Sequence, residues 1–195
     1  MNTLNKGKMW SNIKSKYSIY FVLVALFIVC WLANENFVSV GNIENISTQI
    51  SVGTILAFGQ TILIISGMLD LSSASVLALA GTLSVSAYKM TGSLTLAFVV
   101  AIAAGVLCNV INGFMITKFK TPPFIATLAM MTMARGAALM YTNGQNIYQI
   151  GDYVKFGQGR LFGVPTPVLF MAGLLLLTWY LLRHTVFGRA VYAIG

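Results

Sequence analysis

Charge is what this chain has least of: 8% of its 195 residues are charged, against about 25% in an ordinary soluble domain. The four carboxylates, Glu35, Glu44, Asp70 and Asp152, are dispersed, which leaves no pair poised for acid–base chemistry. The one histidine has no ligand-type neighbours in sequence, and no zinc-like spacing occurs. Cys30 and Cys108 both fall inside apolar runs, so they read as small buried hydrophobes rather than a disulfide. No G-x-x-x-x-G-K-[ST] phosphate loop, H-E-x-x-H helix or G-x-S-x-G elbow is present. These absences exclude an enzyme, a resident metal or cofactor, and ATP hydrolysis by these residues.

What is present is apolar: 57% of the residues are hydrophobic. They gather in six stretches, 17–33, 46–65, 74–88, 94–117, 124–141 and 166–182, near the roughly 20 residues that cross a bilayer. The fold class expected is an all-α integral membrane protein, a polytopic helical bundle with about six transmembrane spans. The first stretch has a basic flank, but it is longer than a secretory signal core of about 7–15 residues. It also carries bulky Trp31 where cleavage needs a small residue, so it is expected to be retained as a span.

The net charge of +8 is placed as a membrane protein places it. Lys6, Lys8, Lys14 and Lys16 precede the first span without an acid among them, a juxtamembrane cluster suited to anionic headgroups and not to nucleic acid. With residues 1–16 cytoplasmic, alternation of the spans puts eight Lys or Arg inside and three outside (Lys89, Lys155 and Arg160). That satisfies the positive-inside rule, and the reverse orientation violates it. Residues 183–195 then form a cytoplasmic tail.

Polar residues inside or beside spans are the candidates for a translocation path or a helix interface. On span four, Ala97, Ala101, Gly105, Asn109 and Gly113 recur every four residues, a small-residue ridge expected to turn inward, with Asn112 three residues beyond Asn109. Asp70 sits where one apolar run stops and the next restarts, followed by Ser72, Ser73 and Ser75. It reads either as a helix N-cap at the cytoplasmic surface or as part of a broken helix lining a path. Arg135, the one basic residue inside a span, reads as snorkelling outward, pairing with an acid elsewhere, or lining a polar route. Gln60, between Gly59 and Thr61, lines a path or bridges two helices.

Several segments in order carry a family resemblance. They are Ser66-Gly67-Met68-Leu69-Asp70-Leu71-Ser72, Asn112-Gly113, Thr121-Pro122-Pro123-Phe124-Ile125-Ala126-Thr127-Leu128 and Arg135-Gly136. Tyr141-Thr142-Asn143-Gly144, Gly163-Val164-Pro165-Thr166-Pro167 and the Thr185–Gly195 tail follow. From about Ile43 onward the chain resembles the inner-membrane permeases of bacterial ATP-binding-cassette sugar importers, ribose and galactose type. The first segment is similar to that family's G-x-D-L-S, with one extra residue between Gly and Asp.

The resemblance implies a bacterial inner-membrane permease paired with a second permease subunit, identical or different. It also implies two cytoplasmic ATPase subunits, an extracytoplasmic sugar-binding protein and no cofactor of its own. Relatives continue into a loop that docks the ATPase, so it further implies a chain truncated after its amino-terminal half. Alternating access is the implied mechanism, with a monosaccharide such as ribose as cargo. In the segment 142–165, Asn143, Gln145 and Asn146, with Tyr148 and Tyr153, are candidate contacts for the binding protein; a structural lid competes. An ion-coupled secondary transporter, or a non-transporting truncated membrane protein, are the alternative functions.

Overall fold

The computed structural model describes residues 3–148 and 150–195, with side chains from Ser18 onward except at Phe156. The four lysines of the amino-terminal cluster thus lie outside the described side chains. The chain forms two compact units, Met1–Ser47 and Thr48–Gly195.

In the first unit, α1 (Thr3–Ala33) runs unbroken through the basic segment into the apolar stretch. Asn34 stops it and caps a following 3-10 turn (Glu35–Val38), its side chain accepting the Asn36 N–H at 2.9 Å. Phe37 folds back edge-on against Phe27, with ring centres 5.1 Å apart. Asn42 Nδ2 donates to the Phe37 carbonyl at 2.7 Å. Cys30 is exposed, a correction to its expected burial.

α2 (Val40–Ile65) begins in this unit and runs mostly in the second. There follow α3 (Ser73–Thr91), α4 (Leu94–Lys118), α5 (Pro123–Thr142), α6 (Tyr153–Gln158), a two-stranded hairpin, α7 (Thr166–His184) and α8 (Val186–Ile194). Among the described residues, α2, α4, α5 and α7 are long and apolar enough to cross a membrane, and Ser18–Ala33 of α1 is a shorter apolar stretch. α3 has the length, but Ser73, Ser75, Thr82, Ser84, Ser86 and Thr91 dilute its apolarity.

Each break has a local cause. Pro123 and Pro167 sit in the first turn of α5 and of α7, where a missing N–H costs nothing, and Pro122 and Pro165 precede those helices as their N-caps. α2 closes in a Schellman cap: Met68 N–H bonds to Leu63 O at 2.9 Å and Gly67 N–H to Ile64 O at 3.0 Å. Gly67 takes φ +75° to make that turn. α5 ends the same way, with Asn143 in the left-handed region at φ 50° and Gly144 N–H bonded to Leu139 O.

Helices α3, α4 and α5 pack together as the core of the second unit. Its buried cluster is Val76, Cys108, Met130 and Ala134, with Leu79 against it. Ala80, Ala97, Ala126 and Ala138 are buried as well, while Ile102, Val106, Leu107 and Val110 of α4 face outward. Small residues inside and branched aliphatics outside suit a helix bundle whose solvent is lipid, where close backbone approach drives association.

Three sequence expectations change. The ridge on α4 does not stay inward: its buried residues are Ala97, Cys108 and Asn112, while Asn109 and Gly113 are exposed. Four residues advance about 400° on an α-helix, so an every-fourth row drifts by about 40° per step and leaves the packed face. The 142–165 segment is not an open loop but holds α6 and the hairpin, in which Arg160 pairs with Pro165 and Leu161 with Val164. Those strands are two residues each, and the remaining elements are helical, in keeping with the all-α membrane class. The 183–195 tail, of which only a cytoplasmic place was expected, is largely helical, with Thr185 capping α8 by accepting the Gly188 N–H at 3.2 Å. Finally, the second and third helices run longer than expected, over 40–65 and 73–91.

Candidate functional site

The polar centre of the second unit is the break between α2 and α3. Asp70 is not the N-cap of α3; Ser72 holds that position. Asp70 instead forms an Asx turn, Oδ1 accepting the Ser72 N–H at 2.7 Å and the Ser72 hydroxyl at 2.6 Å. Its Oδ2 lies 3.2 Å from the Ser73 hydroxyl. Charge-assisted bonds of this kind are about twice as strong as neutral ones, so the carboxylate fixes the turn that starts α3. Ser72, its proton given to Asp70, is fully buried and accepts from Asn112 Nδ2 of α4 at 3.2 Å.

Gln60 reaches the same turn from α2. Its Nε2 donates to the Asp70 carbonyl and to Ser73 Oγ, which makes it a bridge between α2 and the start of α3. From α5, Thr127 gives its proton to Pro123 O at 2.8 Å, and its oxygen stands 3.5 Å from the Leu69 carbonyl. Two helices therefore hold one short break by hydrogen bonds, α2 through Gln60 and α4 through Asn112, with Thr127 of α5 standing against it, and Asp70 supplies its only charge.

Two cavities flank this core. One, of about 350 Å³, is lined by Gln60, Asp70, Ser73, Gly105 and Asn109. Asn109 spends its amide donor on Gly105 O of its own helix, at 2.9 Å. The other, of about 330 Å³, is lined by Thr82, Arg135, Thr142, Gln145 and Asn146. Both are near the lower end of the 300–1,000 Å³ common for small-molecule sites.

The structure thus joins Gln60, Asp70 and Asn112 in one network and sets Asn109 on the adjoining cavity wall. Arg135, Gln145 and Asn146 meet at the second cavity, a grouping that no pattern in the sequence suggests. Asn143 stands apart as the cap of α5. Reading the sequence for amides and charges named Ser72 and Ser73 only as neighbours of Asp70 and missed Ser84. The signal for the first two was the Asp-x-Ser-Ser run, since these side chains compete for nearby backbone groups. Ser84 is buried on α3, donates to Ala97 O of α4 at 2.9 Å, and meets Tyr153 Oη at 3.0 Å.

The family model described as "Branched-chain amino acid transport system / permease component" matches residues 42–195. The chain belongs to that permease family. It is 37% identical over 193 residues to the ribose import permease protein RbsC of Escherichia coli K12, covering 96% of this chain and 59% of that one. The RbsC protein of Bacillus subtilis 168 is 35% identical over 198 residues, covering 100% and 62%. The L-arabinose transport system permease protein AraH of Escherichia coli K12 is 33% identical over 190 residues, covering 97% and 57%. This member of the permease family spans about three fifths of the length of those relatives. No solved structure matches it. The resemblance read from Ile43 onward is therefore a family membership, and the pinned break and both cavities lie within the part that the family model covers.

Proposed function

We propose that this chain forms the permease part of an ATP-binding-cassette importer for a monosaccharide such as ribose. The observation that carries the reading is its similarity, over nearly its whole length, to permeases named for ribose and arabinose import. The fold supports it. The bundle core is built of small and polar residues, and no phosphate loop occurs in these residues, so ATP hydrolysis belongs to partner chains.

In this reading α1 to α5 and α7 are the six spans, in a bacterial inner membrane. Residues 1–16 and 183–195 are cytoplasmic, consistent with eight basic residues inside against three outside. The partners are a second permease subunit, two cytoplasmic ATPase subunits and an extracytoplasmic sugar-binding protein, which docks on the segment around Asn143, Gln145 and Asn146. Gln60, Asp70, Asn109 and Asn112 belong to the path or to the helix interface that opens and closes it. A break held by hydrogen bonds from α2 and α4 transmits movement of one of them to the other, as alternating access requires.

The test is uptake of labelled D-ribose into vesicles holding the permease with its ATPase and binding protein. ATP-dependent uptake that persists with an ionophore present is the expected result. Uptake that needs no ATP and collapses with the ion gradient would mean a secondary transporter.

A further inference from the structure

We propose that the cavity at Arg135 is itself a binding subsite for an uncharged polyol, a monosaccharide ring, on the permease. This deepens the importer reading and rests on it, because it names the cavity as a place where cargo pauses. Its walls come from two helices, Gly81 and Thr82 of α3 facing Arg135 and Thr142 of α5, with Gln145 and Asn146 after α5 closing one side.

The donor and acceptor inventory points to hydroxyl groups. Thr82 gives its proton to Ala78 O at 2.8 Å, and Thr142 gives its own to Ala138 O at 3.1 Å. Both hydroxyl oxygens therefore face a ligand as acceptors. Arg135 presents donors alone, in a planar fork that spans adjacent oxygens. Among the described residues it has no ion-pair partner. Gln145 and Asn146 can each donate and accept, and Asn146 Nδ2 is steadied by Tyr148 Oη at 3.2 Å.

A sugar hydroxyl donates and accepts at once, so a wall offering fixed donors beside fixed acceptors matches a ring carrying several of them. An anion could use the guanidinium and the amide donors of Gln145 and Asn146 but would be opposed by the threonine oxygens and leave the amide carbonyls unmatched. No carboxylate lines the cavity, which argues against a cationic ligand.

The experiment is equilibrium binding of labelled D-ribose and L-arabinose to the full chain in nanodiscs, without ATPase or binding protein. Saturable binding is expected for at least one of the two. Arg135→Ala should weaken it at least tenfold, and Arg135→Lys less. Gly81→Leu should abolish it while the chain still folds: nothing lies within 4 Å of an added Cβ there, and leucine favours the helix. No binding by the unmodified chain, or equal binding by a folded Gly81→Leu chain, overturns the subsite. Displacement by D-ribonate at a tenth of the D-ribose concentration or less also overturns it, in favour of an anion site. Failure of the importer reading appears separately, as absent ATP-dependent uptake in the complete vesicle system.

Discussion

Asn112, in the last third of α4, donates from Nδ2 to Ser72 Oγ at 3.2 Å, across 40 residues of sequence. Its side chain is 4% exposed and its own Oδ1 has no hydrogen-bond partner among the described residues. One half of the amide thus holds the start of α3, and the other half is buried without compensation. Asn112→Ala removes the orphan acceptor along with the donor, so its net cost should be modest, about 1 kcal/mol. Asn112→Asp keeps the shape, loses the donor and sets a second carboxylate near Asp70. It should be the more damaging change by at least another 1–2 kcal/mol or so. Thermal unfolding of the two variants in one detergent checks the order, and equal melting temperatures would contradict it.

That contact shows what the sequence could and could not convey. The helices were legible because apolar runs, Gly and Pro punctuate them, and the break around Asp70 was legible because an acid interrupts two such runs. The grouping of Gln60, Asp70 and Asn112 depends on which helices neighbour one another, and local pattern does not carry that. Arg135 and Gln145 meet because α5 ends in an Asn143 cap that turns the chain back over its own helix. A left-handed asparagine looks like any loop asparagine in a sequence. The α4 ridge misled for a geometric reason, since a spacing of four is not the helical repeat of 3.6.

Gly67 separates conformational cost from steric cost. Its φ is +75°, yet nothing lies within 4 Å of an added Cβ. Gly67→Ala should therefore destabilise by about 1 kcal/mol through backbone strain alone. Gly67→Asn should recover part of that, because asparagine tolerates the left-handed region. A loss of several kcal/mol in Gly67→Ala, measured by unfolding in detergent, would mean that the whole break had rearranged.

Ser84 and Tyr153 offer a test of how the segment after α5 is tied to the bundle. With the Ser84 proton committed to Ala97 O, the Tyr153 hydroxyl supplies the second bond. Tyr88 adds a tilted ring contact to Tyr153, with centres 5.6 Å apart. Tyr153→Phe should keep the ring contact and the α3–α4 bond, and cost about 0.6 kcal/mol, the mean for such bonds in membrane bundles. Hydrogen exchange in α6 should rise while that of α3 stays unchanged. Ser84→Ala should affect both.

The exposed pair Lys155 and Asp152 gives a pH signature. A hydrogen bond at 2.7 Å and the carboxylate charge hold the Lys155 ammonium above the ordinary lysine value of 10.5. A raised value in the folded state means that the pair's contribution is complete below pH 10.5 and is lost as pH climbs through the folded value. Asp152→Asn should return Lys155 toward 10.5 in an NMR titration. An unchanged titration would show that the pair does not persist in solution.

The two ends of the drifting α4 row should respond in opposite ways to the same enlargement. Ala97 is fully buried at the α3–α4 contact, where its carbonyl also receives Ser84, so Ala97→Leu must push the helices apart. Overpacking of that kind costs about 1–3 kcal/mol and should also break the Ser84 bond. Gly113, four repeats along the same row, is exposed and has nothing within 4 Å of an added Cβ. Gly113→Leu should fold at least as well as the parent, since leucine gains up to about 1 kcal/mol of helix propensity over glycine. Any functional loss in Gly113→Leu would then report a surface that a partner or the cargo approaches, because the fold of this chain gives the added side chain nothing to strike. Equal destabilisation by both enlargements would restore the straight inward ridge and contradict the α4 packing.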